Sequence, residues 1–105
     1  MEGKNYRVVW SKKAIQALGR LFNINHRIVF NRSKILLSHS LETQAEGIAD
    51  FPEFKFNGYY WTLINNVIIV YKVVDEENSV FIQACYFANT EQSHYIFYKI
   101  EPEKE

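Results

Sequence analysis

No stretch of this chain limits its fold more than Gly58–Phe87, GYYWTLINNVIIVYKVVDEENSVFIQACYF. It is dense in Val, Ile, Tyr, Phe and Trp, side chains that fit a pleated, half-buried surface. Two turn signals divide it. Asn65-Asn66 sits between apolar runs, and asparagine tolerates the left-handed backbone of a tight hairpin. Asp75 to Ser79 is too polar to bury. The spacing therefore predicts three consecutive strands, Tyr59 to Ile64, Val67 to Val74 and Ser79 to Phe87, joined as an antiparallel meander. Tyr59, Trp61 and Leu63 fall on one face, and Tyr60, Thr62 and Ile64 on the other. A sheet with one wet face would alternate more cleanly. One face is thus expected to pack on helices, the other to be covered by chain or kept for a partner.

Upstream, Asn5 to Trp10 reads as a short strand. Ser11 is a good N-cap, so a helix should begin at Lys12. Ala14, Ile15, Leu18, Leu21 and Phe22 are spaced three and four apart and predict one buried stripe. Gly19 inside this helix suggests close packing on the sheet or on the next helix. The segment Asn23 to His26 looks like a break. A second helical pattern starts near Arg27, with Ile28, Val29, Ile35, Leu36, Leu37 and Leu41 as its apolar positions, and fades between Thr43 and Gly47. Two helices so joined form an antiparallel hairpin that can lie across one sheet face. Pro52 forces Phe51 into an extended conformation, and Glu53 to Asn57 is a short strand or an extended lead-in. Ser93 to Ile100 reads two ways. As a strand it places Tyr95 and Phe97 on one side; as a helix it groups His94, Phe97 and Tyr98. The fold class that follows is α+β. It is a small single domain over 1–105, with an N-terminal strand, a two-helix hairpin and a three- to four-stranded antiparallel meander. Its acidic tail, 101–105, is expected to be solvated.

With 105 residues, the chain is long enough for a core without staples. No apolar run reaches the roughly 18 residues of a membrane span, and the first ten residues lack a signal-peptide core, so a cytoplasmic protein is expected. The single cysteine, Cys85, excludes an internal disulfide and any multi-cysteine metal site. It reads as a buried, inert thiol. His26, His39 and His94 are widely spaced and the glycines are scattered, so no metal, phosphate loop or other cofactor is expected.

Formal net charge is zero, but its distribution is not even: residues 1–40 hold eight basic residues against Glu2 alone, and residues 41–105 hold four against eleven acids. The first third can present a basic face to an anionic partner. Equally, Lys and Arg can simply solvate the outer sides of helices. Tyr59, Tyr60, Trp61 and Tyr71 could stack bases on a sheet face, although core packing explains them as well.

In this order, the segments resemble the RelE/ParE superfamily, the toxins of bacterial type II toxin–antitoxin modules. The resemblance rests on YRVVWSKKAIQAL (Tyr6 to Leu18), on Pro52 after the helix pair, on GYYWTLINNVIIVYKV as the hairpin, and on VFIQACYFANTEQ as the closing strand. It covers nearly the whole chain. The resemblance implies a cognate antitoxin as partner, and either of two targets. The nuclease branch cuts messenger RNA on the ribosome without a metal, using Arg and Lys on phosphate and His, Tyr or Glu for proton transfer. The ParE-like branch binds a target, DNA gyrase in characterised relatives. Where the hairpin commonly has Tyr-Arg, this chain has Tyr60-Trp61. Where the closing segment commonly has Thr-Arg-Gln, it has Thr90-Glu91-Gln92. Phe87-Ala88-Asn89 stands where some members end in a His-Tyr pair. These departures favour a ParE-like toxin that acts by binding, with Lys13, Arg20, Arg27 and Trp61 as candidate partner contacts. The alternatives are a ribosome-dependent endoribonuclease using Lys55, His94 and Tyr95, and a non-toxic binding domain.

Overall fold

The computed structural model describes residues 6–38 and 45–99; the expectations for Leu41, Thr43 and the acidic tail fall outside them. The elements, in chain order, are β1 (Arg7–Trp10), α1 (Lys12–Gly19), α2 (His26–Leu37), β2 (Gly47–Ile48), β3 (Tyr60–Ile64), β4 (Val67–Val74), a 3-10 turn (Asp75–Glu77), β5 (Ser79–Phe87) and α3 (Glu91–Ile96). The strands form one sheet in the order β1-β5-β4-β3-β2. β1 runs parallel to β5, and every other pair is antiparallel.

The meander lies where the sequence places it. Asn65 and Asn66 adopt φ of 50° and 68°, the mirror-image turn whose twist matches a hairpin. Asn78, at φ 49°, closes the 3-10 turn between β4 and β5. Ser11 caps α1, its Oγ accepting the Ala14 N–H at 3.0 Å. Asn25 caps α2 in the same way through the Ile28 N–H at 3.1 Å.

Both sheet faces are covered. On the first, α1 and α2 bury Ala14, Leu18, Val29 and Leu37 against Val8, Trp10, Ile69, Tyr71, Val80 and Ile82. The second face carries Trp61, Ile68, Val70 and Ala84, and the chain itself covers it with α3 and the segment between β2 and β3. That cover is aromatic. Phe97 lies 5.4 Å from Trp61, 5.6 Å from Phe54 and 5.6 Å from Tyr86, centroid to centroid. Tilted and edge-on pairs of this kind add roughly 0.5–1.5 kcal/mol each beyond the area they bury.

The structure corrects four local expectations. α1 ends at Gly19; Leu21 beyond it still packs on the core, but Phe22 is 82% exposed, and Ile15 within the helix is 49% exposed. A side chain at Gly19 would meet nothing within 4 Å, so close packing does not require that glycine. Glu53 to Asn57 is a run of turns, not a strand, held by the Asn57 side chain: its Oδ1 accepts the Phe51 N–H at 2.7 Å and its Nδ2 donates to the Phe51 carbonyl at 2.6 Å. The fourth antiparallel strand is instead the two-residue β2, paired with Tyr60 and Trp61.

Candidate functional site

The helical alternative for the segment after Thr90 is the one the chain adopts. Thr90 Oγ1 accepts the Ser93 N–H at 3.0 Å and caps α3. Ser93 Oγ donates to the Phe87 carbonyl at 2.7 Å and fastens the helix to the end of β5. Residues four apart then share a side. His94 meets Tyr98, ring centroids 5.8 Å apart at 70°, and Ile96 and Phe97 turn onto the sheet.

His94 and Tyr98 line a shallow corner of about 180 Å³ with Leu63, Asn66, Ala88 and Asn89. The hairpin turn supplies Asn66, whose carbonyl accepts the Ala88 N–H at 2.8 Å and so ties the turn to the end of β5. Tyr98 also packs edge-on against Trp61 at 5.5 Å. Burial raises the Tyr98 phenol above its ordinary pKa of 10.0, and the negative charge of Glu46 adds to the shift. At neutral pH it is therefore a proton donor. The corner thus joins an imidazole, a protonated phenol and two amide side chains.

The other sequence candidates are scattered. Tyr95 points away from His94 and packs on Phe51 at 5.0 Å, 42% exposed. Lys55 sits over the Phe56 ring at 5.3 Å. Lys99, not singled out from the sequence, donates from Nζ to the Asp50 carbonyl. None of these three lines the corner, and no Lys or Arg does. Lys13 is exposed on α1, Arg20 caps its C-terminal end, and Arg27 is exposed on α2. The break at Asn23, φ 57°, separates Arg20 from Arg27, so the three cations do not form one helical row. Trp61 is buried beneath Phe97 and Tyr98, out of reach of a partner in this structure.

The basic face itself is present. Residues 6–38 carry seven Lys and Arg side chains and no Asp or Glu. Ile15, Phe22, Ile28 and Ile35 stand exposed among them. Cys85 is buried, its thiol pushed up to about 12 by desolvation, and so is inert as a nucleophile near neutral pH. No group of three or more His, Cys, Asp or Glu that could hold a metal occurs among the described residues. No helix among them is long and apolar enough to cross a membrane.

No protein-family model matches the chain, and no curated protein matches its sequence. Solved structures do match its shape. A chain of the RelBE2 toxin–antitoxin complex from Mycobacterium tuberculosis superposes with a TM-score of 0.62 at 16% identity, over 82% of this chain and 94% of that one. This is the RelE fold. The archaeal RelE–RelB complex from Pyrococcus horikoshii gives 0.58 at 17% identity, over 81% of this chain and 97% of that one. A mutant of the E. coli toxin RelE in its free state gives 0.56 at 17% identity, over 90% and 96%. The RelE fold here has a parallel β1–β5 pair at one edge, a helix pair on one face and a short C-terminal helix on the other.

Proposed function

We propose that this chain is the toxin of a bacterial toxin–antitoxin pair, acting in the cytoplasm and neutralised by a cognate antitoxin. The observation that carries the reading is the agreement with RelE-type structures along nearly their whole length, two of them complexes with an antitoxin. The resemblance of the N-terminal strand-to-helix junction and of the meander points the same way. Within that reading, the RelE neighbours favour ribosome-bound messenger RNA as the target. Metal-free cleavage of RNA needs a base for the 2′-OH proton, an acid for the leaving 5′-oxygen, and positive charge near the phosphate. His94 is the base and Tyr98 the acid in this reading; the ribosome or a shifted lysine supplies the charge.

A second reading has its own support. The corner at His94 has no cation in its lining, which suits a ParE-like toxin that binds a target such as DNA gyrase and does no chemistry of its own. Induced expression in a bacterial host, with growth and transcript integrity followed together, separates the two. The RelE reading expects arrest with transcripts cut at codon-spaced positions. It also expects His94→Ala or Tyr98→Phe to slow cleavage by about 10²-fold or more while Tyr95→Phe changes nothing. Arrest with intact transcripts and a DNA-damage response would establish the ParE-like reading instead. Unimpeded growth would remove the toxin reading.

A further inference from the structure

The helix layer turns a patterned face outward. α2 buries Val29, Ser33 and Leu37, four residues apart, on its sheet side. Ile28, Asn31 and Ile35 lie half a turn from that line and form the crest that points away from the core. All three are exposed, Ile35 by 65%. Cations flank the crest on both sides. Arg27 and Lys34, seven apart, stand toward α1: Arg27 lines a groove there with Ile15, Gly19 and Phe30, and Lys34 Nζ lies 4.9 Å from the Phe30 ring centroid. Arg32 stands on the far flank, beside Ile35 and Leu36. Across the groove, α1 buries Ala14 and Leu18 and carries Lys13 and Arg20, again seven apart, on its outer flank. The layer thus has three rows of cations, with Ile15 between the first two and Ile28 and Ile35 between the last two. Phe22 stands at the bend that joins the helices, the most exposed of the large apolar side chains. All seven Lys and Arg side chains of residues 6–38 are exposed, and none pairs with a carboxylate among the described residues.

We propose that this layer seats on an anionic lipid bilayer. Both helices lie flat on the headgroups, the cations meet lipid phosphates, and Ile28, Ile35 and Phe22 dip to the acyl boundary. Charge is the first support: the layer offers seven cations and no acid to a negative plane, while every described carboxylate belongs to the rest of the chain. The second is arrangement. Apolar side chains exposed singly are ordinary, but these stand between rows of Lys and Arg, whose long stems let the charges stay in the headgroups while the crest goes deeper. The third is breadth. A single peptide segment follows one row, whereas a plane meets all three together. A nucleic-acid backbone would satisfy the rows but gives the isoleucine crest nothing apolar to enter. The contact is peripheral, since no helix among the described residues is long and apolar enough to cross a membrane. The inference goes beyond the toxin reading and stands whether or not the chain arrests growth.

The test is flotation of the full chain with vesicles of phosphatidylcholine alone and of equal parts phosphatidylcholine and phosphatidylglycerol, at low and high salt. The expected result is binding to the anionic vesicles alone, weakening as salt rises. Each cation near such a surface contributes about fivefold in partitioning, so Arg27→Glu with Arg32→Glu should lower it by about a hundredfold or more. Ile28→Ser with Ile35→Ser keeps the charge and should still lower it by about tenfold. All four positions are exposed, and an unchanged unfolding midpoint verifies the fold of each variant. Equal binding to the neutral vesicles, or none to the anionic ones at low salt, would overturn the proposal. So would a serine variant that binds like the wild type, because charge attraction alone would then hold the layer. A short RNA duplex, added at matched phosphate concentration, should leave the chain on the vesicles; release would assign the layer to a nucleic-acid backbone instead.

Discussion

Ser33 is a polar residue at the centre of an apolar interface, and its partners explain why it is tolerated. Its Oγ accepts the Trp10 indole N–H at 3.0 Å and donates to the Phe30 carbonyl at 2.7 Å. Ser33→Ala removes little volume but leaves the buried indole N–H without an acceptor, so it should cost about 1–3 kcal/mol in a denaturant titration. A loss within measurement error would mean that water replaces the hydroxyl. A second residue-scale prediction concerns alkaline pH. Burial pushes Cys85 up to about 12 from its ordinary 9.0, and burial raises Tyr71 and Tyr86 as well. Above pH 9 the unfolded chain has lost protons that the folded chain still holds, so stability is complete below that value and falls as pH rises. Cys85 alone contributes a slope of up to about 1.4 kcal/mol per pH unit. Unfolding measured from neutral pH upward should show this decline, and Cys85→Ala should flatten its first part. A wild-type curve that is level to pH 10 would contradict a desolvated thiol.

At the scale of elements, α3 is the weak member. Six residues cannot sustain a helix alone; its cap and the packing of Ile96 and Phe97 hold it. Thr90→Ala should destabilise it by about 1 kcal/mol, visible as faster exchange of the α3 amides and a red shift of Trp61 emission, with the protection of β4 unchanged. Uniform loss across β4 and α3 would show instead that the helix unfolds only with the whole domain. This element also shows where sequence reading reaches its limit. The three meander strands were legible because turn residues and β-branched runs act locally. Ser93 to Ile100 was ambiguous because apolar residues at 95, 97 and 98 fit either period, and only the Thr90 cap and the apolar sheet beneath decide for helix. Tyr98 as the companion of His94 depends on that decision, so the sequence alone favoured Tyr95. β2 had no pattern to read. Gly47 and Ile48 pair because the edge of β3 is free, and a side chain at 47 would come within 3.1 Å of Trp61 Nε1. Phe22 shows the converse: helical spacing identifies apolar positions, but α1 ends at Gly19, before Phe22, which is left exposed.

On the scale of the whole molecule, charge is separated by layer. The β1–α1–α2 part, residues 6–38, is wholly basic among its charged side chains, while the described sheet and its cover hold Glu46, Asp50, Glu53, Asp75, Glu76, Glu77 and Glu91 against Lys55, Lys72 and Lys99. A zero total therefore conceals a dipolar surface, and the exposed Ile15, Phe22, Ile28 and Ile35 lie on its positive side. Solvation of helices accounts for the cations, and apolar side chains exposed singly are ordinary on a surface, so only binding data decide whether these four serve a partner. On the toxin reading proposed above, an acidic, apolar antitoxin segment lying on this layer would meet both. Binding of the partner should accordingly accelerate at low salt and slow as ionic strength screens the field beyond about 10 Å. Lys13→Glu with Arg27→Glu, both exposed and away from the core, should leave the unfolding midpoint nearly unchanged while lowering the association rate by about tenfold or more. Stopped-flow kinetics at two salt concentrations measure both effects. If the double variant binds at the wild-type rate, and that rate is indifferent to salt, the cations only solvate the helices, and recognition rests on the apolar side chains alone.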